Sequence, residues 1–197
     1  MSRQSIIVPR LRPLRYLLVF IFAWLTMIAW IAAPAGAQST HALRINCGGG
    51  AYMDTAGNTW QADTAYTSGG TWSFQGLNIT GTADPELYRD VRYGGVGSDF
   101  SYALPAAPGS YTLKLHFVEG DGHTSVPGFR TFNVLVNGSP ALSNFDVFAA
   151  AGGLGKALDE SLPVTVPSGG GGVTVTFHTL TYGAMVSALE LVPTSSP

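Results

Sequence analysis

Tyr111-Thr112-Leu113-Lys114-Leu115-His116-Phe117 puts an apolar or aromatic side chain at every second position and a polar one between. Successive side chains of a strand point to opposite faces, so this run reads as a β-strand with one buried and one wetter face. The pattern returns at Phe132, Val134 and Val136 and stops at Asn137-Gly138, a pair that accepts positive φ at both central positions of a hairpin turn. It returns again at Leu162, Val164 and Val166 and, after Ser168 and the glycines Gly169 to Gly172, at Val173, Val175 and Phe177. A last strand is expected from Met185 to Val192, where Ser187 and Glu190 interrupt an apolar run. The one good helix start is Asp84-Pro85-Glu86, with Asp84 as cap and Pro85 at the first helical position. That helix is short and ends before Arg92-Tyr93-Gly94. Each sheet must bury its apolar stripe, and with no long helix available its partner is a second sheet. The expected fold class is therefore all-β: a two-sheet β-sandwich of jelly-roll type with one short helix.

The first 37 residues stand apart from this pattern. Arg3, Arg10, Arg12 and Arg15 precede an uncharged apolar run from Tyr16 to Ala33, and Ala35-Gly36-Ala37 follows. This order of basic, apolar and small-residue segments is that of a secretory signal peptide, with an uncleaved signal anchor as the alternative. Residues 38–193 then form the domain and 194–197 a short tail. Four of the ten basic residues lie in the leader and all twelve acidic ones after it. That leaves six against twelve, a net charge of −6, which argues against nucleic acid or an anionic membrane as partner. Membrane contact is expected only through the leader, if it is retained. The protein is read as exported, to the periplasm, the extracellular space or the cell envelope. The lone Cys47 has no partner for an internal disulfide and reads as a buried small hydrophobe.

Tyr111, Phe117, Phe132, Phe145 and Phe177 fall on strand patterns and read as core. Tyr52, Trp60, Tyr66, Trp72, Tyr88, Tyr93 and Tyr182 fall instead among Gly, Asn, Thr and Asp, where no core period exists. Aromatic rings on turn-rich loops suit a sugar, whose C–H face packs on a flat π surface while its hydroxyl rim takes Asp, Asn or backbone partners. Each ring singly reads equally well as cover for the sandwich ends. Glu119 and Asp121 raise an acid–base pair for glycosidic cleavage, but a strand-end acid with solvated neighbours is the simpler reading. His41, His116, His123 and His178 make no metal-ligand spacing, Gly169–Gly172 lacks the residues of a phosphate loop, and no cofactor is expected. Asn78-Ile79-Thr80 matches a glycosylation sequon.

Arg44-Ile45-Asn46-Cys47-Gly48-Gly49, followed by Asp54, Gly57, Trp60 and Asp63, resembles the start of malectin and malectin-like domains. So, in order, do Ala83-Asp84-Pro85, Arg92-Tyr93-Gly94, Leu115-His116-Phe117-Val118-Glu119, Arg130-Thr131-Phe132-Asn133-Val134, Asn144-Phe145-Asp146-Val147 and Val186-Ser187-Ala188-Leu189-Glu190-Leu191. The resemblance covers about residues 42 to 193. It implies a galactose-binding-like β-sandwich that binds carbohydrate, such as glucose-containing oligosaccharides, and catalyses nothing. Trp60 stands where the family carries one early tyrosine, and Trp72 or Phe74 near a second. Gly120-Asp121-Gly122-His123 replaces the family's aromatic pair after the strand, and Tyr182 stands at its aspartate. The candidate ligand-binding residues are thus Trp60, Trp72, Tyr93 and Tyr182 for stacking and Asp63, Asp121 and His123 for hydrogen bonds. A protein-interaction or envelope-structural domain on the same scaffold is the alternative.

Overall fold

Inward-facing Tyr111, Leu113, Leu115 and Phe117 are all buried, and their strand is longer than its alternation, running from Gly109 to Val118. In the computed structural model, which describes residues 41–194, it is the seventh strand of the chain. Before it come β1 (Leu43–Asn46), β2 (Tyr52–Met53), β3 (Thr59–Ala62), β4 (Gly70–Ser73), β5 (Asp90–Tyr93) and β6 (Phe100–Leu104). After β7 come β8 (Thr131–Val136), β9 (Ser139–Phe145), the helix α1 (Val147–Ala151), β10 (Ala157–Val166), β11 (Val173–Thr181), β12 (Met185–Val186) and β13 (Ala188–Pro193).

Two sheets form the sandwich: six strands in the order β10-β7-β13-β1-β3-β2 and four in the order β6-β11-β8-β9. Ile45, Leu113, Leu115, Phe117, Leu189 and Leu191 of the first meet Phe100, Leu104, Phe132, Val134 and Phe177 of the second in one buried cluster. The rings of Phe117 and Phe132, one from each sheet, lie 6.0 Å apart. The hairpin expected at Asn137-Gly138 joins β8 to β9. Val136 pairs directly with Ser139, and Asn137 and Gly138 both take positive φ, 50° and 79°.

Several expectations need correction. The helix start at Asp84 yields only a 3₁₀ turn over Pro85–Tyr88, and Asp84 does not cap it. Its carboxylate instead accepts from the Tyr52 hydroxyl and from the amide and hydroxyl of Thr55, tying down the β2 turn. The α-helix sits at Val147–Ala151, where Asp146 accepts from the amide of Ala149 and Gly152 closes the end with φ of 72°. The last strand is two strands. It breaks at Ser187, whose amide donates to His116 while its carbonyl accepts from Cys47, so the chain changes sheets there. Met185–Val186 thereby joins a third sheet, β12-β5-β4, that the alternation gave no sign of. Phe145, expected in the core, is half-buried. The leader and the last three residues, with the readings placed on them, lie outside the described residues.

Candidate functional site

The third sheet supplies the floor of a cleft of about 390 Å³. Val91 and Tyr93 alternate on β5, Trp72 pairs with Val91, and Met185 pairs with Tyr93. Directly paired and i, i+2 residues share a face, and these four line the cleft together. Asp121, Arg130 and Tyr182 form a polar wall, and Gly94-Gly95-Val96 completes the lining. Three rings offer their surfaces here: Trp72 is 61% exposed, Tyr93 36% and Tyr182 38%.

The wall is built on a buried ion pair. Glu119, at the end of β7, is fully buried and accepts from Arg130 Nε at 2.8 Å and from the amide of Asp121 at 3.0 Å. It is therefore not a strand-end acid among solvated neighbours, and it is not free to act with Asp121 as an acid–base pair. Arg130 also donates Nη1 to the carbonyl of Gly183 at 2.7 Å. Its guanidinium carbon lies 5.0 Å from the centre of the Tyr182 ring. Tyr182 donates its hydroxyl to Asp121 Oδ2 at 3.1 Å and meets Phe129 edge-on at 5.0 Å. It holds a left-handed backbone, φ 62°, a conformation that costs a bulky residue on the order of 1 kcal/mol and persists only where surroundings hold it. The next residue, Gly183, lets the turn pack directly on Gly94: a Cβ there would stand 2.3 Å from the Gly94 carbonyl oxygen.

Asp121 is the acceptor at the centre of the cleft's polar wall. Partial burial pushes its carboxyl upward. The amide and ring of His123 and the Tyr182 hydroxyl outweigh that and hold it below the usual carboxylate range. An ionised carboxylate only accepts, so the 2.9 Å contact from His123 Nδ1 to Asp121 Oδ1 makes Nδ1 the protonated nitrogen. The hydrogen bond from the Tyr182 hydroxyl to Asp121 raises the Tyr182 phenol. Among the described residues, no group of three or more His, Cys, Asp or Glu side chains is placed to hold a metal ion.

Of the seven expected ligand-binding residues, Trp72, Tyr93, Asp121 and Tyr182 converge on this cleft, and His123 stands beside it with its side chain 88% exposed. Trp60 and Asp63 do not belong. Trp60 is 3% exposed, donates Nε1 to Asp54 at 3.0 Å and packs edge-on to His116, so it has no face for a ligand. Asp63 is spent inside the fold: Oδ2 takes both Nε and Nη2 of Arg92, and Oδ1 takes the Tyr102 hydroxyl. Tyr88, grouped with the loop aromatics, is also buried, hydrogen-bonded to His116 and Asp159. Arg130 and Phe129 join the site although the sequence marks them only by an aromatic beside a cation just before β8 and by the family-like run that opens at Arg130.

A family model described as Malectin domain matches residues 41–189. A probable leucine-rich repeat receptor-like serine/threonine-protein kinase of Arabidopsis thaliana is 26% identical over 200 residues, covering 81% of this chain and 20% of the kinase. The ANXUR1 extracellular domain from Arabidopsis thaliana superposes with a TM-score of 0.69 at 20% identity, covering 78% of this chain and 48% of that one. A beta-glucuronidase of Bacteroides uniformis superposes with a TM-score of 0.64 at 18% identity, covering 79% of this chain and 18% of the enzyme. The chain spans a fifth of the kinase's length and about half of the ectodomain's.

Proposed function

The chain belongs to the Malectin domain family, and from that membership and the cleft we propose that it is a non-catalytic carbohydrate-binding module of an exported protein. The observation that carries the proposal is the convergence of Trp72, Tyr93 and Tyr182 on one concave surface with Asp121 among them. The rings present apolar faces to the C–H faces of a sugar, and Asp121 accepts from its hydroxyls. Glycosidic cleavage needs two carboxyl groups free to trade protons or attack. Here Glu119 is locked to Arg130, and among the described residues Asp121 is the one carboxylate that lines the cleft. Glucose-containing oligosaccharides, implied by the family, are the first ligands to try. In this reading residues 1–37 are the export signal, residues 38–193 the binding domain and 194–197 a tail. The periplasm, the extracellular space or the cell envelope is then the place of action.

The test is a glycan array probed with the purified protein and its Trp72→Ala variant. Binding to a defined set of sugars, weakened about tenfold by the variant, is the expected result; that factor corresponds to about 1.4 kcal/mol for one lost aromatic contact. A second reading, a protein-interaction domain, draws on the exposed apolar residues Val96, Val126, Phe129 and Leu180. Silence across the array from a folded protein would favour it.

A further inference from the structure

A second hollow, of about 800 Å³, runs between Gln75-Gly76-Leu77 and Gly120-Asp121-Gly122-His123. It shares Trp72, Phe74 and Asp121 with the cleft, so the exposed indole and the carboxylate stand where the two spaces meet. Resting on the carbohydrate reading of this site, we propose that the ligand is an internal stretch of a linear polysaccharide. It lies across Trp72 with sugar rings in both hollows, rather than as a terminal mono- or disaccharide.

A site for a chain end closes around the end and places its polar groups there. Here the central acceptor, Asp121, lies at the junction, and polar groups continue past it. Ser73 and Gln75 are hydrogen-bonded to each other on one side of the second hollow. His123 stands on the other, with Nδ1 engaged by Asp121 and Nε2 left for a partner from solution. The second hollow is also unobstructed. A Cβ at Gly76 or Gly122 would meet nothing within 4 Å, so neither residue is crowded by its surroundings. At Gly120 the case is different. A Cβ there would strike the Phe74 ring at 2.4 Å, so this residue lets Phe74 form a base common to both hollows.

The experiment measures affinity for gluco-, xylo- and manno-oligosaccharide ladders of two to six rings, using the wild-type protein, Gly122→Phe and His123→Ala. Gly122→Phe adds bulk at the lining of the second hollow, which Tyr93, Tyr182 and Arg130 do not line, and thermal melting establishes that each variant is folded. The expected result is wild-type affinity for one ladder rising about tenfold or more between two and six rings. Gly122→Phe should lose that gain and bind the hexasaccharide as the wild type binds the disaccharide. His123→Ala should lose about fivefold more on long ligands than on the disaccharide, the worth of one net hydrogen bond in the second hollow. Equal affinity for all lengths, with binding intact, would overturn the extended-chain proposal and leave the carbohydrate reading standing. Absence of binding to every ladder would overturn both.

Discussion

Alanine at Trp60 and at Trp72 should separate stability from binding, because one indole is 3% exposed and the other 61%. Trp60→Ala empties a buried space and leaves Asp54 Oδ2 without its indole donor. It should cost about 3–5 kcal/mol in denaturant unfolding, the usual range for a buried aromatic. Trp72→Ala removes little buried surface and should stay within about 0.5 kcal/mol of the parent, while lowering sugar affinity. The sequence treats the two alike, each beside Gly and Thr. Trp60 lies on a strand of four residues, too short for an alternation to be counted, and its burial comes from β1, β2 and His116, which are distant in the chain or on another strand. Tyr93, Asp121 and Tyr182 were legible because polar, glycine-rich surroundings do mark exposed segments. Asp63 was misread because nothing in its own stretch, Ala62-Asp63-Thr64-Ala65, announces its partner Arg92, which arrives from β5. Asp121 also sets the pH response of binding. Its carboxyl is held below the ordinary range, so its capacity to accept from a neutral sugar should survive acidification to about pH 4, the ordinary Asp value, and fail below it. Titrating affinity for an uncharged oligosaccharide while monitoring folding by circular dichroism measures this; loss of its carboxylate contribution well above pH 4 would contradict the assignment.

The Glu119–Arg130 pair joins two elements, the end of β7 and the approach to β8, and through Gly183 a third, the turn from β11 to β12. Removing one partner from a buried pair leaves a desolvated charge behind and typically costs about 3–5 kcal/mol. Glu119→Ala should therefore destabilise the domain by an amount in that range and, by releasing Arg130, loosen Tyr182 and weaken sugar binding as well. Arg130→Met together with Glu119→Gln should recover much of the stability, because no charge is then left unpaired, but not the binding. Calorimetry on the single and double variants, with affinity measured in parallel, separates the two effects. Long elements were legible from their residues: β7, β8, β10 and β11 each repeat the alternation several times. The sequence offers one good helix start, Asp84-Pro85-Glu86, and the α-helix forms instead after Asp146. Tertiary demand decided between them: Asp84 is drawn away to Tyr52 and Thr55, whereas Asp146 keeps Oδ1 for the Ala149 amide while Oδ2 accepts from Gly128. The floor of the cleft was illegible for a related reason. Strands of two to four residues pair with segments far off in sequence, so β12-β5-β4 exists only once the sandwich has brought them together.

At the scale of the whole molecule, the cleft is a property of the closed fold rather than of any one segment. Its surface draws on Trp72 from β4, Val91 and Tyr93 from β5, Asp121 and Arg130 from the β7–β8 connection, and Tyr182 and Met185 near the end of the chain. Met185 lies two residues before the crossing at Ser187, beyond which β13 lies between β1 and β7 in the larger sheet. Local opening of the cleft is thus tied to the centre of the sandwich, and a ligand bound there holds all of it. A ligand that binds the folded chain and not the unfolded one adds about 2.7 kcal/mol of stability at a hundred times its dissociation constant. For a domain of this size that corresponds to a rise in melting temperature of about 5–10 °C. The rise should appear in a single cooperative transition, reported alike by far-ultraviolet circular dichroism and by tryptophan fluorescence. The Trp72→Ala variant at the same ligand concentration should show a smaller shift, about a kcal/mol less, because its affinity is about tenfold lower. Separation of the two signals, with fluorescence stabilised by ligand and circular dichroism unmoved, would mean that the third sheet opens independently of the sandwich, and the coupling through Ser187 would then be wrong.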